Sequence, residues 1–173
     1  VAMFEAVWRL QGRRETLRRI AIIDDAPEEQ YLHPEFVVAK RLLERNGIEA
    51  VIADASALRY ECNALQAGGV PVDLVYNRLV DFALEEERHA ALRAAYMDGA
   101  VVVTPNPRNH ALFADKRNLT LLSDGDALQR WGLNDDHRAA LARLPHTVRL
   151  TQDNAELLWS ERKRLFFKPA SGH

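Results

Sequence analysis

Lys168 stands directly after the apolar run Leu165-Phe166-Phe167 and directly before Pro169-Ala170-Ser171-Gly172. That order suits a phosphate. Proline ends a strand, small residues let backbone N–H groups approach an anion, and an ammonium is a compact charge matched to phosphate oxygens. A charge at the end of a buried strand is also costly to leave unpaired. A second lysine, Lys116, follows Asp115 in Ala114-Asp115-Lys116-Arg117-Asn118-Leu119, where a solvated helix lysine beside its aspartate is the plain reading. Asn77-Arg78 closes the run Leu74-Val75-Tyr76. An arginine there either grips a carboxylate bidentately or pairs with Asp73 or Asp81. Arg108 and His110 could touch a ligand, though capping or solvation accounts for them more simply. The arginines from Arg9 to Arg19 read as the exposed face of a first helix, and Trp8, Trp131 and Trp159 lack a stacking spacing and read as packing residues.

These groups need elements to position them, and the chain alternates strand and helix signals. Phe4, Val7 and Trp8 share a face of an opening amphipathic helix. Residues 19–24 then read as a buried strand. Pro34 begins a helix through Phe36, Ala39, Leu42 and Leu43 that stops at Asn46-Gly47. Residues 49–54 form the next strand, Gly68-Gly69-Val70-Pro71 a turn, and residues 74–77 a third strand ending at Asn77-Arg78. A helix from about Leu84 to Tyr96 and a fourth strand at residues 100–103 follow. This alternation predicts a largely parallel sheet covered by helices. Beyond Pro107 the pattern changes to a long helical stretch through Phe113 and Leu122, two shorter helices and an isolated strand at residues 165–168. The boundary is placed near residue 108.

Composition narrows the function classes. In 173 residues, 47% of them hydrophobic, the chain can bury one good core and part of a second. Lys and Arg number 23 against 25 Asp and Glu, so the net charge of -2 gives no general attraction to nucleic acid or anionic membrane, and a phosphate site must be local. The single cysteine, Cys62, excludes an internal disulfide and a cysteine-based zinc cluster, and suits a reducing, cytoplasmic setting. No apolar run has the length of a signal peptide core or a membrane span.

Four pieces occur in order after the first four strands: Thr104-Pro105-Asn106-Pro107-Arg108, Ala114-Asp115-Lys116-Arg117-Asn118-Leu119, Leu144-Pro145-His146-Thr147, and Phe166-Phe167-Lys168-Pro169-Ala170-Ser171-Gly172. The order resembles the glutathione-synthetase-like branch of the ATP-grasp ligases. There an N-P turn leaves the first domain, a helix carries an acidic-Lys pair, a P-x-T segment follows, and a strand ending in K-P-x-x-G opens a glycine-rich loop. The resemblance implies a pre-ATP-grasp, Rossmann-like α/β domain over residues 1–108, with helices on both faces of its sheet. A partial α+β ATP-grasp subdomain would follow over residues 109–173.

It further implies an ATP-dependent carboxylate–amine ligase that forms an amide or peptide bond through an acyl phosphate, with ATP and magnesium as cofactors and a small carboxylate and amine as substrates. Lys116, Lys168, Ser171 and Gly172 would contact ATP, and Asn77 and Arg78 the acceptor substrate. The acidic magnesium ligands and the adenine hinge are expected beyond His173, so the chain by itself is expected to be inactive. Its last strand would lack partners, which favours self-association or incomplete folding.

Two other readings stand beside this one. Ile22-Ile23-Asp24-Asp25, Val103-Thr104 and Phe167-Lys168-Pro169 also resemble the acidic pair, hydroxyl residue and Lys-Pro of a phosphorelay receiver domain. Against it, the third strand ends in Asn77 where the phosphoacceptor aspartate belongs, and the interval from Asp24 to Lys168 exceeds a whole receiver domain. A non-catalytic binding or regulatory remnant is the third reading.

Overall fold

A computed structural model describes residues 1–170. In chain order its elements are α1 (Ala2–Leu10), β1 (Arg19–Asp24), α2 (His33–Arg45), β2 (Glu49–Asp54), β3 (Arg59–Glu61), β4 (Ala64–Ala67), β5 (Val70–Pro71), β6 (Leu74–Asn77), α3 (Ala90–Met97) and β7 (Val102–Thr104). After these come α4 (Pro107–Phe113), α5 (Asn118–Leu122), α6 (Gly125–Arg130), α7 (Asp135–Leu141) and α8 (Ala155–Ser160). The chain divides into two compact units, one of residues 1–108 and one from Asn109 onward.

The first unit is an α/β domain built on a sheet of order β2-β1-β6-β7 in which every neighbouring pair is parallel. β1 carries a continuous apolar run, Ile20-Ala21-Ile22-Ile23, rather than an alternation, as expected of a strand buried on both faces. Ile20, Ile22, Leu74 and Val102 point to one face and pack with Phe4, Trp8, Phe36 and Leu43 of α1 and α2. Ala21, Ile23, Val75 and Val103 point to the other and pack with Leu58, Leu65, Leu92 and Ala95. Thus α2 covers one face and α3 the opposite one. The Asp73 carboxylate accepts the backbone N–H groups of Arg18 and Arg19 at 2.8 and 2.9 Å, pinning the entry to β1 beside the entry to β6.

Several elements differ from the sequence expectation. A small antiparallel sheet of order β3-β4-β5 lies between β2 and β6 in the chain, so only Gly68 and Gly69, both with positive φ, make the expected turn, and Val70-Pro71 is a strand. The helix expected from Leu84 begins instead at Ala90. Leu84 is fully buried in a left-handed conformation (φ 57°), and Glu87–His89 form a 3-10 turn. β7 begins at Val102, two residues late, after a bend following Gly99.

In the second unit the regular elements among the described residues are all helices and none is a strand, so the α+β character expected there is absent from them. Leu165-Phe166-Phe167 pairs with no other strand, and Phe166 is 83% exposed. The long helix expected from Pro107 breaks at Ala114–Arg117, where the Asp115 carboxylate accepts the Arg117 backbone N–H at 2.8 Å and competes with helical hydrogen bonding. Trp8 is buried as expected, but Trp131 and Trp159 are exposed and pack into no core. The arginine run is not one helix face either. α1 ends at Leu10, and Arg19 belongs to β1, where it pairs with Glu49 at 2.8 Å. No helix among the described residues is long and apolar enough to cross a membrane.

Candidate functional site

Because β1–α2–β2 winds over one face and β6–α3–β7 over the other, the crossovers diverge between β1 and β6. A crevice opens at the carboxyl ends of parallel strands at such a switch point, and ligands of α/β sheets bind there. Asp24 and Asp25 end β1, Asp54 ends β2, and Asn77 and Arg78 end β6. The paired register of Asp24 with Asp54 and of Ile23 with Asn77 fixes them at one sheet edge.

Arg78 holds to the edge through stacking and hydrogen bonds. Its guanidinium lies 5.4 Å from the Tyr76 ring and 5.8 Å from the Phe36 ring, donates to Tyr76 Oη at 3.2 Å, and pairs with Glu35 at 3.4 Å. The partner is therefore Glu35, not Asp73 or Asp81. Its Nε is buried without a hydrogen-bond partner. Asn77 is buried, and its side chain is taken up by the backbone: Oδ1 accepts the Leu79 N–H at 3.1 Å and Nδ2 donates to the Pro105 carbonyl at 3.4 Å. Asn77 thus shapes the loop that carries Arg78.

The carboxylates of the edge differ in character. Burial pushes the Asp24 carboxyl up, and the neighbouring charges of Asp25 and Asp54 add to the push, while Arg78 and the Asp25 amide oppose it. Asp54 is held down chiefly by the Ser56 hydroxyl at 2.6 Å, aided against burial by the amides of Ser56 and Ala26. Arg88 bridges Asp25 at 3.3 Å and Glu86 at 2.5 Å. Acidic and guanidinium groups thus lie side by side at this edge, Arg78 against Glu35 and Arg88 against Asp25 and Glu86.

Neither a scan against protein-family models nor a search of curated proteins finds a match.

Of the sequence candidates in the second unit, Lys116 lies in the turn between α4 and α5, not within a helix, and its backbone N–H donates to the Ala170 carbonyl at 2.9 Å. Asp115 is taken up by Arg117, whose Nε is 2.8 Å from Oδ2, and these contacts hold its pKa at about 2. Lys168 is exposed, with its ammonium 5.3 Å from the centre of the Phe166 ring, rather than sitting at the end of a buried strand. Ser171 and Gly172 lie outside the described residues. An open cavity of about 490 Å³ in this unit is lined by Leu122, Leu128, Leu141, Ala142, Arg138 and His146, and neither lysine lines it. The receiver-like reading loses further ground, because β6 ends in Asn77 and Lys168 belongs to the second unit, not to the parallel sheet.

Sequence reasoning missed His89, which is fully buried between Asp25 and Asp81. Its only signal was a histidine three residues after Glu86 and eight after Asp81. Asp81, Glu86 and His89 bring ligand atoms within 4.8 Å of one another. Both ring nitrogens of His89 and the Glu86 carboxylate are already paired, so internal contacts fill this donor set.

Proposed function

We propose that this chain carries the acceptor-substrate domain and two phosphate-contacting lysines of an ATP-dependent carboxylate–amine ligase. The single observation that carries the reading is the hydrogen bond from the Lys116 amide to the Ala170 carbonyl, which sets the Asp115-Lys116 turn against Lys168-Pro169-Ala170 within one unit. Two residues more than fifty positions apart in the sequence, each suited to phosphate, thereby share a neighbourhood.

In this reading ATP phosphorylates a substrate carboxylate, and an amine displaces phosphate from the acyl phosphate to form an amide. The protein mainly positions reactants and offsets charge, as in other phosphoryl transfers. Lys116 and Lys168 neutralise phosphate oxygens. Arg78 holds a carboxylate at the end of β6, and the acidic groups ending β1 and β2 suit an amine. Magnesium enters with the nucleotide. Asp115, the carboxylate beside Lys116, is committed to Arg117 and does not fit as its ligand.

Titration calorimetry with Mg-ATP on the whole chain tests the reading. A lysine–phosphate contact of about 1.5–3 kcal/mol corresponds to a loss of roughly ten- to hundredfold in affinity for Lys116→Ala or Lys168→Ala. Saturable binding that is the same in the double variant defeats it.

A further inference from the structure

Among the described residues, His89 and Asn77 are the buried polar side chains, and His89 is fully buried. It ends the 3-10 turn before α3. Nδ1 lies 2.7 Å from Asp81 Oδ2 on the same β6–α3 connection, and Nε2 lies 2.9 Å from Asp25 Oδ1 on the β1–α2 connection. One imidazole therefore spans the two loops that flank the crevice.

The two contacts dictate the charge state. An ionised carboxylate only accepts hydrogen bonds, and a neutral imidazole has one N–H. A neutral His89 would leave a nitrogen lone pair facing a carboxylate oxygen at under 3 Å on a fully buried ring. Only the imidazolium donates to both. Asp81 is ionised: burial alone would raise its pKa, but the Glu86 amide and the imidazole hold it below the ordinary carboxylate range.

The surrounding charges are Asp24 and Asp25 from the β1 end, Asp54 from the β2 end, and Asp81, Glu86 and Arg88 from the β6–α3 connection. Arg88 touches the second oxygen of Asp25 at 3.3 Å. Arg93 of α3 caps the Leu84 carbonyl at 2.8 Å. Carboxylates outnumber cations here, so loss of the imidazolium charge leaves Asp25 and Asp81 facing each other across a neutral ring.

We propose that His89 is a doubly bonded imidazolium latch, which holds the β1–α2 and β6–α3 loops together around the crevice while protonated and lets them part when it loses its proton. Burial opposes this charge, but the hydrogen bonds and charges of Asp25 and Asp81 outweigh it and raise the His89 pKa above the ordinary histidine value. The sign follows: latching is complete below the ordinary histidine pKa and is lost as pH rises through the raised one. The latch does not depend on what the crevice binds.

Nitrogen-15 NMR of the histidine rings in the whole chain, followed from roughly pH 6 to pH 9, reads the charge state directly. The expected result is one ring with both N–H groups present at neutral pH and a midpoint above about 6.5. Amide exchange in residues 24–30 and 78–89 should accelerate at that same midpoint, while the amides of β1 and β6 stay protected. Asp25→Asn should lower the midpoint and uncouple the 24–30 loop, and a midpoint unchanged in that variant overturns the proposal. A neutral single tautomer at neutral pH overturns the proposal, as does loop exchange indifferent to the titration. So does equimolar zinc displacing the ring proton from Nδ1, which would make this a metal centre.

Discussion

Asp24 is the clearest case of a single residue set against the stability of its own fold. Its carboxyl is pushed up by burial and by Asp25 and Asp54, so the folded state holds the proton more tightly than the unfolded chain does. That contribution is present below the ordinary carboxylate pKa and is lost as pH rises through the raised value. At neutral pH the buried charge is a liability that the Asp25 amide, donating at 2.9 Å, only partly relieves. Asp24→Asn keeps an acceptor for that amide and removes the charge, so the urea midpoint at neutral pH should rise and its acid side should flatten. A fall in the midpoint at neutral pH would show that the charge is needed by an unseen partner inside the fold. Arg78 was visible in the sequence as a cation ending a strand, but its partner Glu35 was not, because α2 meets β6 only in three dimensions. His89 was illegible for the same reason, since Asp25 is sixty-four residues away.

At the scale of elements, the longer strands of the parallel sheet were plain from sequence. β1, β2 and β6 read as near-continuous apolar runs ending in polar residues, and the proline and Asn-Gly signals bounded α2. The β3–β5 sheet was not legible, because its strands are two to four residues long and its first turn lacks a glycine. Glu61 and Ala64 pair across Cys62 and Asn63, both in the left-handed region at φ 50° and 59°. A two-residue hairpin with positive φ at both positions prefers Asn-Gly. Asparagine is at home there; cysteine is not. Cys62→Asn should therefore stabilise the first unit by about 0.5–1 kcal/mol, since a side chain suited to the left-handed region replaces one that is strained in it. Thermal or urea unfolding checks it, and a destabilised variant would mean that the exposed thiol makes a contact worth more than the turn strain.

At the scale of the whole molecule the two units are made differently, and they should unfold differently. The first has apolar clusters on both faces of its sheet, with Ile20, Ile22, Ile23, Phe36, Leu43, Leu65 and Leu92 essentially inaccessible. In the second, the buried apolar residues among those described are Ala127 and Leu128, while Phe113, Trp131, Trp159 and Phe166 are more than half exposed. Its helices run five to seven residues, too short to persist on propensity alone. Burial of apolar area is the main favourable term in folding, so local stability should follow this asymmetry. Urea should unfold the chain in two steps, the indole fluorescence of Trp131 and Trp159 changing at lower urea than the β-sheet signal of the first unit. Amide exchange should be slow through β1, β2 and β6 and fast from Asn109 to Phe167. Raising the protein concentration should drive association and delay the first step, because the exposed aromatic side chains then find apolar partners. A single cooperative transition with uniformly slow exchange through Phe167, independent of concentration, would show that the second unit has a core of its own and that the asymmetry in apolar burial does not govern its stability.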